Sequence, residues 1–203
     1  AGMPRGTVEC VFKDEPCAVP PGPDVIQVRS PTGLGQKGRL INLAVSRLPD
    51  HVQKVPWLDG DILFTNPDWA VETARLLDEV PVVQPFEQAV RLYQGQQEVV
   101  GSELSFVGFA RVVSQNPDTL QLDNYYVHGH TGFVWAARRE LLAKHGLYEA
   151  FINGVGDHYI AHAMCADFVS PCMQRLQHFS RLSALNRRAG RGWLMKRLRA
   201  LIP

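Results

Sequence analysis

The sequence predicts an α/β fold in which helices pack on a mostly parallel sheet. Short apolar runs alternate with segments of helical periodicity, and short loops rich in Gly, Pro and Asn separate them. With 203 residues, 45% of them hydrophobic, the chain is long enough for one domain with a sizeable core. The formal net charge of +1 gives no reason to expect a nucleic-acid partner. Four cysteines without Cys-x2-Cys spacing predict free thiols in a reducing cytoplasm.

Strands are predicted where short apolar runs are bounded by turn residues. These runs lie at residues 7–12, 24–28, 52–64, 81–86 and 133–137. Consecutive prolines at residues 20–21 place a loop between the first two strands, and the third run leads into a turn. Residues 94–123 carry mixed signals and several glycines, which predicts loops with one short helix.

Helices are predicted where apolar residues recur with a period of about 3.6. These segments lie at residues 35–48, 66–79, 138–145 and 157–164. Pro49 ends the first helix. Asn66 is expected to be the N-cap of the second helix, with Pro67 at its first position. Gly146 is expected to form a left-handed C-cap on the third.

The chain is expected to divide into one domain, residues 1–180, and a basic tail, residues 181–203. Residues 187–199 contain six basic residues and no acidic one, and the leucines of the tail fall on one helical face. Such a helix can lie on an anionic membrane surface, or it can pack its leucines on the domain. Because no apolar run approaches the ~20 residues that cross a bilayer, we expect a cytoplasmic protein. If the tail lies on a membrane, the contact is peripheral and at the inner face.

The Asp59-Gly60-Asp61 turn, at the end of a predicted buried strand, is the main chemical feature. Two carboxylates in so apolar a segment are costly to bury unless a cation offsets their charge. Carboxylate oxygens suit hard ions such as Mg2+ and Mn2+, which can also bridge a diphosphate. Gly60 lets the backbone approach a phosphate. In the alternative interpretation, the two aspartates only cap a turn, because so short a motif often arises without function.

Two separated blocks of sequence resemble parts of the GT-A glycosyltransferases, in particular the family 2-like enzymes. WLDGDILF at residues 57–64 resembles their metal-binding segment, in which a buried strand ends in Asp-x-Asp and a helix follows. GHTGFVWAARR at residues 129–139 and GVGDH at residues 154–158 resemble the acceptor-side part of polypeptide N-acetylgalactosaminyltransferases and β-1,4-galactosyltransferases. The blocks occur in the same order as in those enzymes, and the resemblance covers residues 36–164.

The resemblance implies a GT-A α/β/α sandwich and a metal-dependent glycosyltransferase. The enzyme would move a sugar from a nucleoside-diphosphate sugar, with a UDP-sugar as the expected donor, to a hydroxyl of a glycan, lipid or protein acceptor. Asp59 and Asp61 would hold Mn2+ or Mg2+ together with the donor diphosphate. Asp157 would be the general base that deprotonates the acceptor.

Further residues are expected to bind the donor or the acceptor, each with a structural alternative. The donor or nucleotide would be met by Gln36, Lys37, Arg39, Gly60 and Gly132. The sugar or acceptor would be met by His130, Trp135 and His158. Gln36, Lys37 and Arg39 lie at the start of the first predicted helix, where a phosphate can bind. They are equally well explained as a solvated helix face. The histidines can instead have hydrogen-bonded structural roles, and the tryptophan can lie in the core.

Two departures from the family pattern keep other functions open. Only a short pair of strands precedes the first predicted helix, so the nucleotide-binding part looks shortened at its N-terminus. Many members also supply a metal-binding histidine after the acceptor acid, and no histidine here matches that position. A non-catalytic sugar- or partner-binding domain of the same fold is therefore the main alternative. A nucleotidyltransferase is a weaker one, because no Gly-rich, Lys-containing loop near the N-terminus would hold a triphosphate.

Overall fold

The computed structural model describes residues 5–33, 35–101, 104–122, 124, 127–149 and 156–179, with side chains described as far as residue 175. The strands are β1 (Thr7–Phe12), β2 (Val25–Ser30), β3 (Lys54–Leu58), β4 (Val82–Val83), β5 (Gln88–Arg91), β6 (Leu104–Val107) and β7 (Val134–Arg138). The helices are α1 (Lys37–Ser46), α2 (Trp69–Glu79), α3 (Phe109–Gln115), α4 (Arg139–His145), α5 (Gly156–Met164) and α6 (Pro171–Phe179), with a 3-10 helix at Pro117–Gln121. This mixture of strands and helices confirms the α/β class.

The strands form three small sheets, so the expectation of a mostly parallel sheet is wrong. Strands β1 and β2 pair in parallel, whereas β5 and β6 pair antiparallel. In the central sheet β7 lies between β3 and β4 and runs antiparallel to both. Alternating strands and helices give a parallel sheet only when each helix is a crossover between neighbouring strands. Here the middle strand comes from much later in the chain.

The central sheet carries the core of the molecule. The first four residues of β7 are all buried. Because successive side chains of a strand point to opposite faces, this continuous burial means that both faces of β7 are covered. Trp57 of β3 pairs with Trp135 of β7, and both belong to one hydrophobic cluster with Phe109 and Ile160. Burial of side chains of this size stabilises the fold by about 1.5–3 kcal/mol each.

Helix α1 is held against the segment after α4 by contacts to its backbone. The Asn42 side chain donates to the carbonyl oxygen of Leu147 over 2.8 Å and accepts from the amide of Leu147 over 2.6 Å. A Cβ atom on Gly38 would overlap the carbonyl oxygen of Tyr148, so only glycine permits this close approach. The contact fixes the first turn of α1, which carries Lys37.

The ends of several elements differ from the sequence expectations. The third strand stops at Leu58, so the Asp-Gly-Asp segment lies in the following turn. Helix α2 begins at Trp69 with Asp68 as its N-cap, which corrects the assignment of Asn66. The Asn66 side chain accepts from the amide of Asp68 over 2.9 Å, so it caps the turn that leads into α2 rather than the first residue of the helix. Gly146 is the C-cap of α4, as expected, but its φ of 61° and ψ of 175° lie outside the left-handed helical conformation that was predicted.

Residues 94–123 contain more regular structure than the expected loops and short helix. Strand β6, helix α3 and the 3-10 helix all lie in this range. The tail predicted at residues 181–203 lies outside the described residues. None of the helices in the described part of the chain has the length and apolar character needed to cross a bilayer.

We predict that Gly38→Ala lowers the free energy of unfolding by about 1–3 kcal/mol, the usual cost of forcing an extra methyl group into a packed contact. The new Cβ must push α1 away from the Tyr148 carbonyl. Urea unfolding measures the change. Gly60→Ala is the matched control, because a Cβ at Gly60 meets no atom within 4 Å. Equal stability of Gly38→Ala and the wild type would contradict the close approach.

Candidate functional site

Lys37, Asp59 and Asp157 meet beside the end of β3, although 22 and 120 residues of sequence separate the lysine from the two acids. The Lys37 Nζ atom lies 2.6 Å from Asp59 Oδ1 and 2.9 Å from Asp157 Oδ2. The amide of Asp59 donates to the carbonyl oxygen of Phe133 over 2.9 Å, which extends the β3–β7 pairing by one bond. We call this group the acidic cleft. It brings together one predicted metal ligand, the predicted general base and one predicted donor-binding residue.

The charges of the acidic cleft are partly screened by solvent. The side chains of Lys37, Asp59 and Asp157 are 41%, 37% and 26% exposed. Partial burial by itself lowers the pKa of Lys37, but the carboxylates of Asp157 and Asp59 outweigh this effect and raise the pKa overall. The ammonium group is therefore charged at neutral pH. It offsets the repulsion between the two carboxylates that it joins.

The turn that precedes β7 lines one side of the cleft. The amide of Gly132 donates to Nδ1 of His130 over 3.1 Å, so the neutral ring carries its proton on Nε2. Burial lowers the pKa of His130, and the charge of Arg91 lowers it further. The ring stacks on Phe133 with 3.9 Å between centroids. A Cβ atom on Gly132 would lie 3.3 Å from Asp157 Oδ2, so glycine lets this turn pack closely against the acid.

The other residues that were expected to bind the donor lie around the cleft without joining it. Asp61 is exposed and forms no ion pair within the described part of the chain. Gly60 borders open space. Arg39 is exposed on α1. Gln36 turns away, because its side-chain amide donates to the hydroxyl of Ser30 over 2.6 Å.

Two expected sugar contacts are corrected by the structure. Trp135 is only 5% exposed, and its indole nitrogen donates to the carbonyl oxygen of Thr131 over 2.8 Å. It is therefore a core residue and has no free face for a sugar. His158 follows Asp157 directly but points to a different group, because its Nε2 lies 3.0 Å from Sγ of Cys172.

A second group of chemically active side chains, most of them buried, is formed partly by α5, and we call it the His/Cys cluster. It consists of His128 from the loop before β7, His158 and His162 from α5, and Cys172 from α6. One ligand atom from each residue lies within 4.8 Å of those of the other three, so the four side chains can hold a metal ion. Burial and the charges of the neighbouring histidines lower the pKa of His158 to about 3.

The sequence contained a partial signal for the His/Cys cluster. His158 and His162 are four residues apart, a spacing that places both on one face of a helix. Cys172 is a free thiol, as expected for all four cysteines. Nothing local connects these residues with His128, which lies 44 residues before Cys172. Only the folded chain brings them together.

The carboxylates in and beside the acidic cleft are donors of the type that hard divalent cations prefer. Mg2+-type ions are usually held by one or two carboxylates, several waters and substrate phosphates. Asp59 and Asp61 supply carboxylates that solvent can reach. Lys37 already contacts Asp59, so a cation there must share or replace that contact.

A comparison of the chain with protein families, curated proteins and solved structures gives no match.

We predict that Lys37→Met lowers the free energy of unfolding at neutral pH by less than about 1 kcal/mol, as for partly exposed ion pairs. Because folding raises the pKa of Lys37, the contribution is fully present below the ordinary pKa of lysine and is lost as pH rises through the raised value. Urea unfolding at low and high sodium chloride measures it, and salt should shrink the difference.

Arg39→Met is the control for this measurement, because Arg39 lies on the same helix and forms no ion pair with any described residue. Its stability should equal that of the wild type at both salt concentrations. A loss in Lys37→Met that is no larger than in the control would show that the bridge contributes nothing to folding.

Proposed function

We propose that the chain is a metal-dependent glycosyltransferase of the GT-A type, which moves a sugar from a nucleoside-diphosphate sugar to an acceptor hydroxyl. The proposal is supported by one observation above all. Lys37, Asp59 and Asp157 come from three distant segments and converge in one partly exposed cleft. A turn containing Gly132 closes against the same cleft.

Asp59 is proposed to bind the cation, with Asp61 as a second carboxylate on the solvent side. Mn2+ or Mg2+, when bound there, neutralises the negative charge of the leaving diphosphate. Lys37 sits at the first residue of α1 and carries three N–H donors on a flexible stem. It is suited to move from the carboxylates to the diphosphate when the donor binds.

Asp157 is proposed to be the general base. It lies in the first turn of α5, and its side chain is 26% exposed, so an acceptor hydroxyl can reach it. The acceptor oxygen attacks the anomeric carbon of the sugar and gives its proton to the carboxylate. The bond from that carbon to the diphosphate breaks, and the diphosphate leaves with the bonding pair. Gly132 keeps the wall beside Asp157 free of a side chain.

A non-catalytic sugar- or partner-binding domain is the second candidate. Lys37 contacts both Asp59 and Asp157, so the two acids have a structural partner without any bound cation. In this case the cleft would be an ion-pair network that stabilises the fold. Donor binding distinguishes the two candidates.

We expect nucleoside-diphosphate sugars, UDP-sugars foremost, to raise the melting temperature of the protein only when Mn2+ is present. A thermal-shift screen of UDP-, GDP- and dTDP-sugars, with and without Mn2+, measures this effect. Asp59→Asn should lose the shift because the cation loses a charged ligand. Asp118→Asn, which alters an exposed acid on the 3-10 helix, should keep it. The absence of a shift with every donor would favour the non-catalytic domain.

Asp157→Asn should separate donor binding from transfer. It should keep the Mn2+-dependent thermal shift but lower the rate of sugar transfer by about 10²–10⁴-fold, the usual contribution of general-base catalysis. Product formation with the donor found in the screen measures the rate. Transfer at the wild-type rate in Asp157→Asn would contradict the assignment of the base.

A further inference from the structure

We propose that His128, His158, His162 and Cys172 bind a structural Zn2+ ion, which joins α5, α6 and the loop before β7. The inference is independent of the proposed transferase activity. It concerns a different group of side chains from the acidic cleft, and it holds whether or not the chain transfers a sugar.

Two spacings between ligand atoms match the edges of a tetrahedral site. Zinc–nitrogen bonds of about 2.0–2.1 Å and zinc–sulfur bonds of about 2.3 Å imply edges of about 3.4 Å between two nitrogens and about 3.5 Å between nitrogen and sulfur. The Nε2 atoms of His162 and His128 are 3.4 Å apart, and Cys172 Sγ lies 3.5 Å from the latter. His158 Nε2 lies 3.0 Å from the same sulfur, and the four ligand atoms all lie within 4.8 Å of one another, so small side-chain shifts bring them to tetrahedral distances.

Acceptors outside the cluster contact Nδ1 of two of the histidines and orient their rings, as is usual for metal-binding histidines. His162 Nδ1 lies 2.7 Å from a carboxylate oxygen of Asp167, which is itself only 7% exposed. His128 Nδ1 lies 3.1 Å from the carbonyl oxygen of Gly129. A carboxylate and a carbonyl accept but do not donate, so both Nδ1 atoms must carry protons. This tautomer directs the Nε2 lone pairs of both rings into the cluster.

The inward-facing lone pairs favour a cation at the centre of the cluster. Two neutral rings of this tautomer place two acceptors 3.4 Å apart, with no proton between them. A cation bound by both nitrogens and by the Cys172 thiolate resolves the repulsion. The alternative is a third proton, carried on Nε2 of His162 or His128, which would make the cluster a hydrogen-bonded network without metal. Metal analysis distinguishes these two arrangements.

The donor set and its burial select the ion. Three imidazoles and one thiolate suit Zn2+, whereas Mg2+ and Mn2+ prefer oxygen ligands. His128 and His162 are fully buried, and Cys172 is 4% exposed. Four protein ligands fill a tetrahedral shell and leave no position for water or substrate, which is typical of a structural zinc ion.

The test uses the whole 203-residue chain purified without added chelator, and its first measurement is metal content by mass spectrometry. We expect one zinc ion per chain. Cys172→Ser should lose the ion, whereas Cys165→Ser should retain it, because Cys165 is an exposed cysteine in the turn between α5 and α6. Co2+ exchanged into the wild type should show intense tetrahedral d–d bands and a thiolate-to-cobalt charge-transfer band. Only the Cys172→Ser variant should lose the charge-transfer band.

Asp167→Asn tests the orienting carboxylate without removing a ligand. The variant keeps Oδ1, which accepts from the amides of Val169 and Ser170, but it loses the charge that faces His162. Zinc affinity, measured by competition with a coloured chelator, should fall by about 10–100-fold. If Asp167 only stabilised the turn before α6, zinc affinity would not change, because Oδ1 would still accept from the amides of Val169 and Ser170.

The inference is overturned if the wild-type chain contains no zinc and binds neither Zn2+ nor Co2+ on titration, which would leave the protonated network. It is also overturned if Cys172→Ser and wild type bind Co2+ with the same spectrum. If Cys172→Ser does not fold, the stoichiometry and the charge-transfer band of the wild type decide, together with His158→Gln, which alters the least buried ligand.

Discussion

The antiparallel pairing of β3 with β7 is the constraint on which the rest of the structure depends. Its register places Leu58 opposite Val134, and one further hydrogen bond joins the amide of Asp59 to Phe133. The strand that ends in the Asp-Gly-Asp turn therefore ends beside the glycine turn that opens β7. A shift of one residue would turn Trp57 away from the face that it shares with Trp135, so the hydrophobic pattern also fixes the site.

Helix α5 connects the two groups of functional side chains. Asp157 in its first turn reaches Lys37, and the histidines at 158 and 162 reach the buried cluster. Because successive residues of a helix are turned by about 100° from one another, neighbours in sequence can serve an open cleft and a closed interior. The close contact at Gly38 brings α1 to the other side of the cleft. The positions of the charges are thus set by packing around two helices.

Local features of the fold could be predicted from sequence, whereas pairings between distant segments could not. Hydrophobic periodicity located most helices and strands, because periodicity is a property of neighbouring residues. Of the two aspartates in the motif, only Asp59 lies near Asp157 in the structure, and the Lys37 side chain contacts both. No sequence spacing indicates this contact, because the three residues come from distant segments. The antiparallel direction of β7 and the burial of Trp135 depend on which segments become neighbours. Sequence alone does not specify this for a chain without internal repeats.

Asp167 also links the interior of the molecule to the start of its last described helix. One carboxylate oxygen faces His162, and the other accepts from the amides of Val169 and Ser170, directly before α6. A helix of nine residues has little stability of its own in water. The order of α6 therefore depends on its contacts with the protein interior, which are made by Asp167 before the helix and by the buried residues Cys172 and Met173 within it. Because Cys172 lies on α6 and outside the central sheet, we expect its oxidation to loosen α6 before it disturbs the pairing of β3 with β7.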